Sequence, residues 1–239
     1  FFTVVWFHAP HGPIEGHPEY MKSLYSDLPE EKQHYYSVIT ALDAQIGVLR
    51  MKLRELGVEN NTMLCFTSDN GPEGNPGPKQ RYQGSTGEFR GRKRSLYEGG
   101  IRVPGIIEWP GVITEHREIE TPVVTSDYFP TICDILGYDL RDKRPIDGIS
   151  LMDIIKGNQE SRGSDIGFQF INHRQQALIG DRYKLVYNLG EKRSGSDNSD
   201  LPRKVYELYD ILEDPYETKD LSEIRPEIIE EMKIELRDF

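Results

Sequence analysis

The sequence predicts an α/β fold: a mainly parallel sheet with a long crossover helix, then a small antiparallel sheet packed with a helix. Three observations carry this. Residues 1–7, "FFTVVWF", and the run "TMLCFTS" are apolar and β-branched, the pattern of strands buried on both faces. Between them apolar residues recur in helical steps of three and four. After about residue 160 the pattern changes to short strand-like runs separated by tight turns, "IGFQFI", "QALIGD", "YKLVYNL" and "KVYELYD", which argues for antiparallel pairing.

Taken in order, the first strand is followed by a polar stretch rich in Gly and Pro. Asp27, with Glu30 three residues later, reads as a helix start. Val38, Leu42, Ile46, Leu49, Leu53 and Leu56 mark the buried face of that helix, and Gly57 is its stop. The second strand ends in Asp69, Asn70 and Gly71. Strand, helix, strand implies parallel pairing with a right-handed crossover. Ligands of such sheets sit beyond the carboxyl ends of the strands. His8 and His11 follow the first strand and Asp69 and Asn70 follow the second, so all four are expected on one rim. "VPGIIEWPG" reads as a further strand, residues 127–136 as a helix, and "DGISLMDIIKG" as a short helix capped by Ser150. "RPEIIEEMKIELRDF" closes the chain as an amphipathic helix on Ile228, Ile229, Met232, Ile234 and Leu236. The organisation expected is an α/β part over residues 1–160 and a small antiparallel α+β part over 161–239.

The 239 residues carry a net charge of −11, with 36% hydrophobic and 29% charged side chains. An acidic chain does not fit nucleic acid, which is bound by displacing counterions with Lys and Arg. No apolar run approaches the roughly 20 residues of a membrane span. Cys65 and Cys133 each read as a small buried apolar residue, and nothing in their spacing supports a disulfide. The chain opens without Met inside an apolar strand, as a segment of a larger sheet would.

Asp69-Asn70 puts a carboxylate beside an amide oxygen, ligand types that hard cations such as Ca²⁺ or Mg²⁺ require. "DNG" also makes a good Asx turn, and the tripeptide alone favours the turn. His11 lies in "APHGP", between two prolines that restrict where its imidazole points. Residues 70–102 form a connection of unusual length, with eight glycines and three prolines. Its seven cations (Lys79, Arg81, Arg90, Arg92, Lys93, Arg94, Arg102) face three acids (Glu73, Glu88, Glu98), a net +4. A solvated basic loop and a loop that receives an anionic substrate both fit that count. Composition does not say which cation matters.

"FHAPHGP", "FTSDNG", "GRKRSLYEGGIRVPGIIEWPG", "DGISL" and "LYDILEDPYETKDL" occur in this order over nearly the whole chain. Together they resemble the carboxyl-terminal part of a type I sulfatase, in the alkaline-phosphatase-like superfamily. The resemblance implies the later part of an alkaline-phosphatase-like sandwich and the hydrolysis of sulfate esters. It makes Asp69 and Asn70 ligands of a divalent cation, usually Ca²⁺. It makes His11 and Lys93 the residues that contact the sulfate and the departing oxygen; His8, by its place closer to the strand, reads as a packing or supporting residue. The implied chemistry is a cation that neutralises sulfate oxygens and activates a hydrated formylglycine, with His11 and Lys93 stabilising charge on the leaving group.

The family makes formylglycine from the Cys or Ser of a C/S-x-P-S-R motif, and no such motif stands in these 239 residues. The family's Asp-Asp ligand pair and its intervening Lys and His are absent as well. The expectation is therefore a fragment with part of an active site, inactive alone, whose partner is the N-terminal half of the same protein. Its substrate would be a sulfated small molecule or sulfated carbohydrate, and its location periplasmic or extracellular. Two other readings stand beside it: a phosphate or phosphonate monoester hydrolase of the same superfamily, and a non-catalytic binding homologue.

Overall fold

A computed structural model describes residues 1–73, 81, 83–139, 145–170, 175–188 and 204–238. Within them the chain forms two compact units, Phe1–Gly87 with Val103–Gly111, and Glu88–Arg102 with Val112–Phe239.

The first unit holds helices α1 (Pro18–Leu24) and α2 (Glu30–Glu55) and strands β1 (Leu64–Thr67) and β2 (Gly105–Glu108). The long helix is there, but it starts at Pro29 with no side-chain cap, not at Asp27. The Pro29 carbonyl accepts the first bonds, from Lys32 and Gln33 at 2.9 and 3.0 Å. A proline fixes its own φ and so sets the helix entry in place of the carboxylate. Gly57, at φ +66°, ends the helix as expected. The residues α2 buries are His34 and Ser37, whereas Val38, Leu42, Ile46 and Leu53 of the apolar stripe are half-buried and Leu49 and Leu56 exposed.

The expected parallel pair is not formed. β1 pairs antiparallel with β2, from Leu64 opposite Glu108 to Thr67 opposite Gly105. Residues 1–7 lie outside any strand, with Phe1 94% and Trp6 91% exposed. A strand needs a neighbour for its N–H and C=O groups, and none of the described residues supplies one here. His11 and Asp69 are therefore not brought to one rim by parallel strands.

The second unit contains the single helical turn α3 (Glu98–Ile101), α4 (Tyr128–Ile135), α5 (Met152–Lys156), strands β3 (Ile166–Phe170), β4 (Gln175–Ile179), β5 (Tyr183–Asn188) and β6 (Tyr206–Asp210), and α6 (Pro226–Asp238). The four strands form the expected antiparallel sheet in sequential order. Because side chains alternate along a strand, the two faces build two cores. Ile179, Val186 and Tyr209 pack with Tyr97 on one face. Leu178, Leu185 and Leu208 pack on the other with Ile229, Met232 and Leu236 of α6, steps of three and four along that helix. Ile234, expected on the apolar stripe, is exposed instead. Full burial of residues such as Leu185 and Leu208 stabilises by roughly 1.5–3 kcal/mol each.

Asp127 fixes the region before the sheet. Its buried carboxylate accepts the amides of Val124 and Ile149, at 2.8 and 2.9 Å, and both terminal nitrogens of Arg162, at 2.5 and 2.7 Å. Ser150 accepts the Met152 amide at 3.3 Å, but the N-cap of α5 is Leu151 and no side chain caps the helix, so the cap expected at Ser150 is not the one formed. Cys65 and Cys133 are free and half-buried rather than buried, and burial pushes the Cys65 thiol up.

Candidate active site

In the first unit the segment carrying His11 is pinned downstream of the histidine. The Gly16 amide donates to His34 Nδ1 at 2.9 Å, and Arg81 Nη1 donates to the Ile14 carbonyl at 3.0 Å and to Glu15 at 2.9 Å. A Cβ at position 16 would sit 2.5 Å from Ser37 Oγ, so the close approach to α2 requires glycine. His11 itself is exposed. Its amide donates to the His8 carbonyl at 2.8 Å, its Nδ1 donates to the Gly12 carbonyl at 2.8 Å, and the two imidazoles lie 5.5 Å apart. The Nδ1 contact leaves Nε2 as the nitrogen that can face a substrate. Sequence reasoning passed over His34, which is buried beside Arg81 at 3.3 Å, Glu30 at 3.6 Å and Glu15 at 3.7 Å. Its place one turn into a long polar helix start carried no signal for this role.

Asp69 and Asn70 follow the end of β1. The Asn70 amide nitrogen donates to the Gly71 carbonyl at 2.9 Å, and Ser68 Oγ donates to the Asn70 carbonyl at 3.1 Å. Among the described residues the exposed Asp69 carboxylate has no hydrogen-bond or ion-pair partner. An Asx turn would have spent that carboxylate on a backbone amide, so the turn reading is not the one realised. Two hard oxygen donors, the Asp69 carboxylate and Asn70 Oδ1, are free to face a cation. No group of three or more His, Cys, Asp or Glu side chains among the described residues could hold a metal. No hydrogen bond or ion pair joins His11 to either residue among the described residues.

The second unit holds Lys93, at the tip of a tightly closed loop. The Gly99 amide donates to the Arg90 carbonyl at 2.7 Å and closes its base. A Cβ on Gly99 would lie 2.3 Å from the Gly91 carbonyl oxygen, and one on Gly100 would lie 2.1 Å from that of Ser95, so neither position admits a side chain. Lys93 is half-buried. The side chains of Arg92 and Lys93 make no hydrogen bond or ion pair among the described residues. The other described cations of residues 70–102 are occupied. Arg90 is buried against Glu207, Arg102 pairs with Glu98 at 3.3 Å, Arg81 is bound in the first unit, and Arg94 also has a partner. The structure thus separates cations that composition could not. Lys79 and most of residues 73–82, part of the long cationic connection, lie outside the described residues.

The polar groups under this loop were missed in the sequence because they sit in strands that read as ordinary alternating runs. On the sheet face toward Tyr97, Glu207 Oε2 accepts from Arg90 at 3.1 Å, from the Tyr97 hydroxyl at 2.7 Å and from the Tyr209 hydroxyl at 2.9 Å. Burial and the Glu207 charge push both phenols up, which keeps them donors. Lys184, fully buried, meets Glu98 and Glu217 at 2.7 Å each. Against the upward push of burial, Lys184 and Arg102 hold Glu98 below the usual carboxylate range. Burial and the Glu98 charge outweigh Lys184 at Glu217 and lift it to about 7.

A family profile described as sulfatase matches residues 1–138, and one described as N-sulphoglucosamine sulphohydrolase, C-terminal, matches residues 87–239. Steryl-sulfatase of Rattus norvegicus is 38% identical over 140 residues, which are 58% of this chain and 24% of the relative. The chain thus spans about a quarter of that relative's length. A structure solved in work on glycosaminoglycan metabolism by Bacteroides thetaiotaomicron superposes with a TM-score of 0.81 at 25% identity, covering 97% of this chain and 48% of that one. A second, solved in complex with its substrate D-glucosamine-2-N,6-O-disulfate, gives 0.60 at 20% identity, covering 86% and 39%, which is a likeness of fold.

Proposed function

The chain belongs to the sulfatase family, and from that premise we propose that the protein hydrolyses sulfate esters, with Lys93 and His11 as the residues that meet the sulfate group and the departing oxygen. The observation that carries this is the state of Lys93, a cation that, like Arg92 beside it, has no partner among the described residues, while Arg90, Arg94 and Arg102 are occupied. An unneutralised ammonium on a rigid support costs little to reorganise when charge develops on a leaving oxygen. His11, with its Nδ1–H given to Gly12, presents Nε2 for proton transfer.

Asp69 and Asn70 are proposed to hold a divalent cation, Ca²⁺ by preference, because their free donors are a carboxylate and an amide oxygen. Such a cation would offset the charge of the sulfate oxygens. Two donors make an incomplete Ca²⁺ shell, so the reading requires further ligands, and a formylglycine nucleophile, beyond the residues described. The substrate class proposed is a sulfated carbohydrate or small sulfate ester, and the place of action the periplasm or the cell exterior, which fractionation tests.

The function is tested by assaying the full-length protein on matched aryl sulfate and aryl phosphate esters, with and without Ca²⁺. The expected result is sulfate-ester turnover that chelation suppresses and that Lys93→Ala lowers by roughly 10²-fold, the usual loss for one donor to a developing anion. Preference for the phosphate ester would move the protein to phosphoryl chemistry, and turnover indifferent to Lys93 would remove that residue from the site.

A further inference from the structure

We propose that Glu207 of the antiparallel sheet is a positioning residue for Lys93, acting through Arg90 and Tyr97 at the two ends of the loop that carries it. This rests on the reading of Lys93 given above.

The loop runs from Arg90 to Gly99, and the bond from Gly99 N–H to Arg90 C=O at 2.7 Å closes its base. The sheet adds ties to both limbs. Arg90, three residues before Lys93, is buried and donates to Glu207 Oε2 at 3.1 Å and to the Tyr209 hydroxyl at 2.7 Å. Its guanidinium also lies over the Tyr97 ring at 3.7 Å. Tyr97, four residues after Lys93, donates its hydroxyl to the same Glu207 oxygen at 2.7 Å. One carboxylate oxygen therefore ties both limbs of the loop to one point. The other, Oε1, accepts the Lys204 amide at 2.9 Å and so fixes the carboxylate's own orientation. Two further ties reinforce the second limb. The Leu96 amide donates to Gln175 Oε1 at 3.1 Å, and the Glu98 amide donates to Glu217 Oε2 at 2.7 Å.

A sheet needs no buried acid to pack a tyrosine, and burying a carboxylate is costly unless it is fully paired. Glu207 is fully buried, and two of the four donors to its carboxylate among the described residues, Arg90 and Tyr97, belong to this loop. The arrangement places the cost of that burial where a functional side chain needs a support held to about 0.5 Å.

The test uses the full-length protein and a series of aryl sulfates whose departing phenols differ in acidity. If Lys93 meets the departing oxygen, Lys93→Ala slows poor leaving groups most. Glu207→Gln is expected to reproduce that pattern, with kcat for the poorest leaving group down roughly 10- to 100-fold and acidic phenols little affected, since a misplacement of about 1 Å can cost that much. The double variant should be no slower than Lys93→Ala alone. Amide exchange at Leu96 and Gly99 should speed up in Glu207→Gln. Tyr97→Phe keeps the ring and removes one donor, so it gives the same pattern more weakly should Glu207→Gln fail to fold. Equal slowing of every ester by the Glu207 variant, or losses that multiply with those of Lys93→Ala, would overturn the positioning role while leaving Lys93 in place. A Lys93→Ala series with unchanged leaving-group dependence would instead overturn the reading of Lys93, and the proposal with it.

Discussion

Glu217→Gln tests the buried charge cluster under the Lys93 loop through its pH dependence. Lys184 meets two carboxylates, Glu98 and Glu217, at 2.7 Å each, and all three groups are buried. One cation cannot balance two anions there. Arg102 assists Glu98, at 3.3 Å, and the deficit falls on Glu217, which burial lifts from 4.5 to about 7. A carboxyl with a raised folded-state pKa binds its proton more tightly folded than unfolded. Its contribution to stability is therefore present below about pH 4.5 and is lost as pH rises through about 7. The span corresponds to about 3 kcal/mol, at roughly 1.4 kcal/mol per decade of proton affinity. Glutamine cannot ionise, so the variant lacks this loss. Its amide nitrogen will disturb Lys184 or the Glu98 amide and cost absolute stability, but that cost does not vary with pH in the same way. Urea unfolding of the full-length protein and the variant, from pH 4.5 to 8.5, should show the variant's deficit shrinking by about 3 kcal/mol as pH rises, while other titrating groups cancel in the difference. A deficit that stayed constant or grew with pH would mean that Glu217 remains ionised throughout and that Lys184 outweighs burial.

Other expectations follow from the same geometry. His11→Ala should lower kcat for an aryl sulfate roughly 10²-fold, the scale of a lost general acid or base, and His8→Ala should not; equal effects in steady-state kinetics would remove the distinction between them. Asp127→Ala leaves the buried Arg162 guanidinium and two backbone amides without their acceptor, and should cost about 3–5 kcal/mol in chemical denaturation; a loss below about 1 kcal/mol would show that water replaces the carboxylate. Gly99→Ala forces a Cβ to within 2.3 Å of the Gly91 carbonyl oxygen, so the loop must open at its base, and hydrogen exchange should show the Gly91–Gly100 region losing protection. Intact protection there would mean that the backbone shifts to accept the methyl group.

Much of the fold was legible because it is written in local pattern. The period-two runs at 166–170, 175–179, 183–188 and 206–210 form the strands read from them, and Gly57 stops α2 where the helical steps end. Pairing was less legible. The apolar runs at 1–7 and 64–67 looked like parallel neighbours, yet the second pairs antiparallel with residues 105–108 and the first with none of the described residues. Hydrophobicity tells that a strand wants cover and is silent on which edge provides its hydrogen bonds.

The sequence by itself determined the chemistry on offer: a histidine between two prolines, a carboxylate beside an amide, and a cationic, glycine-rich loop with Lys93 in it. Those are properties of residue type and spacing. Tertiary structure alone decided which cations are free. Arg90 and Lys93 are both cations of one short loop, and nothing local distinguishes them. The partner that neutralises Arg90, Glu207, stands 117 residues away on β6. Lys184, 86 residues from Glu98, likewise carries no hint of its burial in a run that reads as an ordinary strand. Ion pairing and burial depend on distances through space, and the chain order that sets residue types does not contain them.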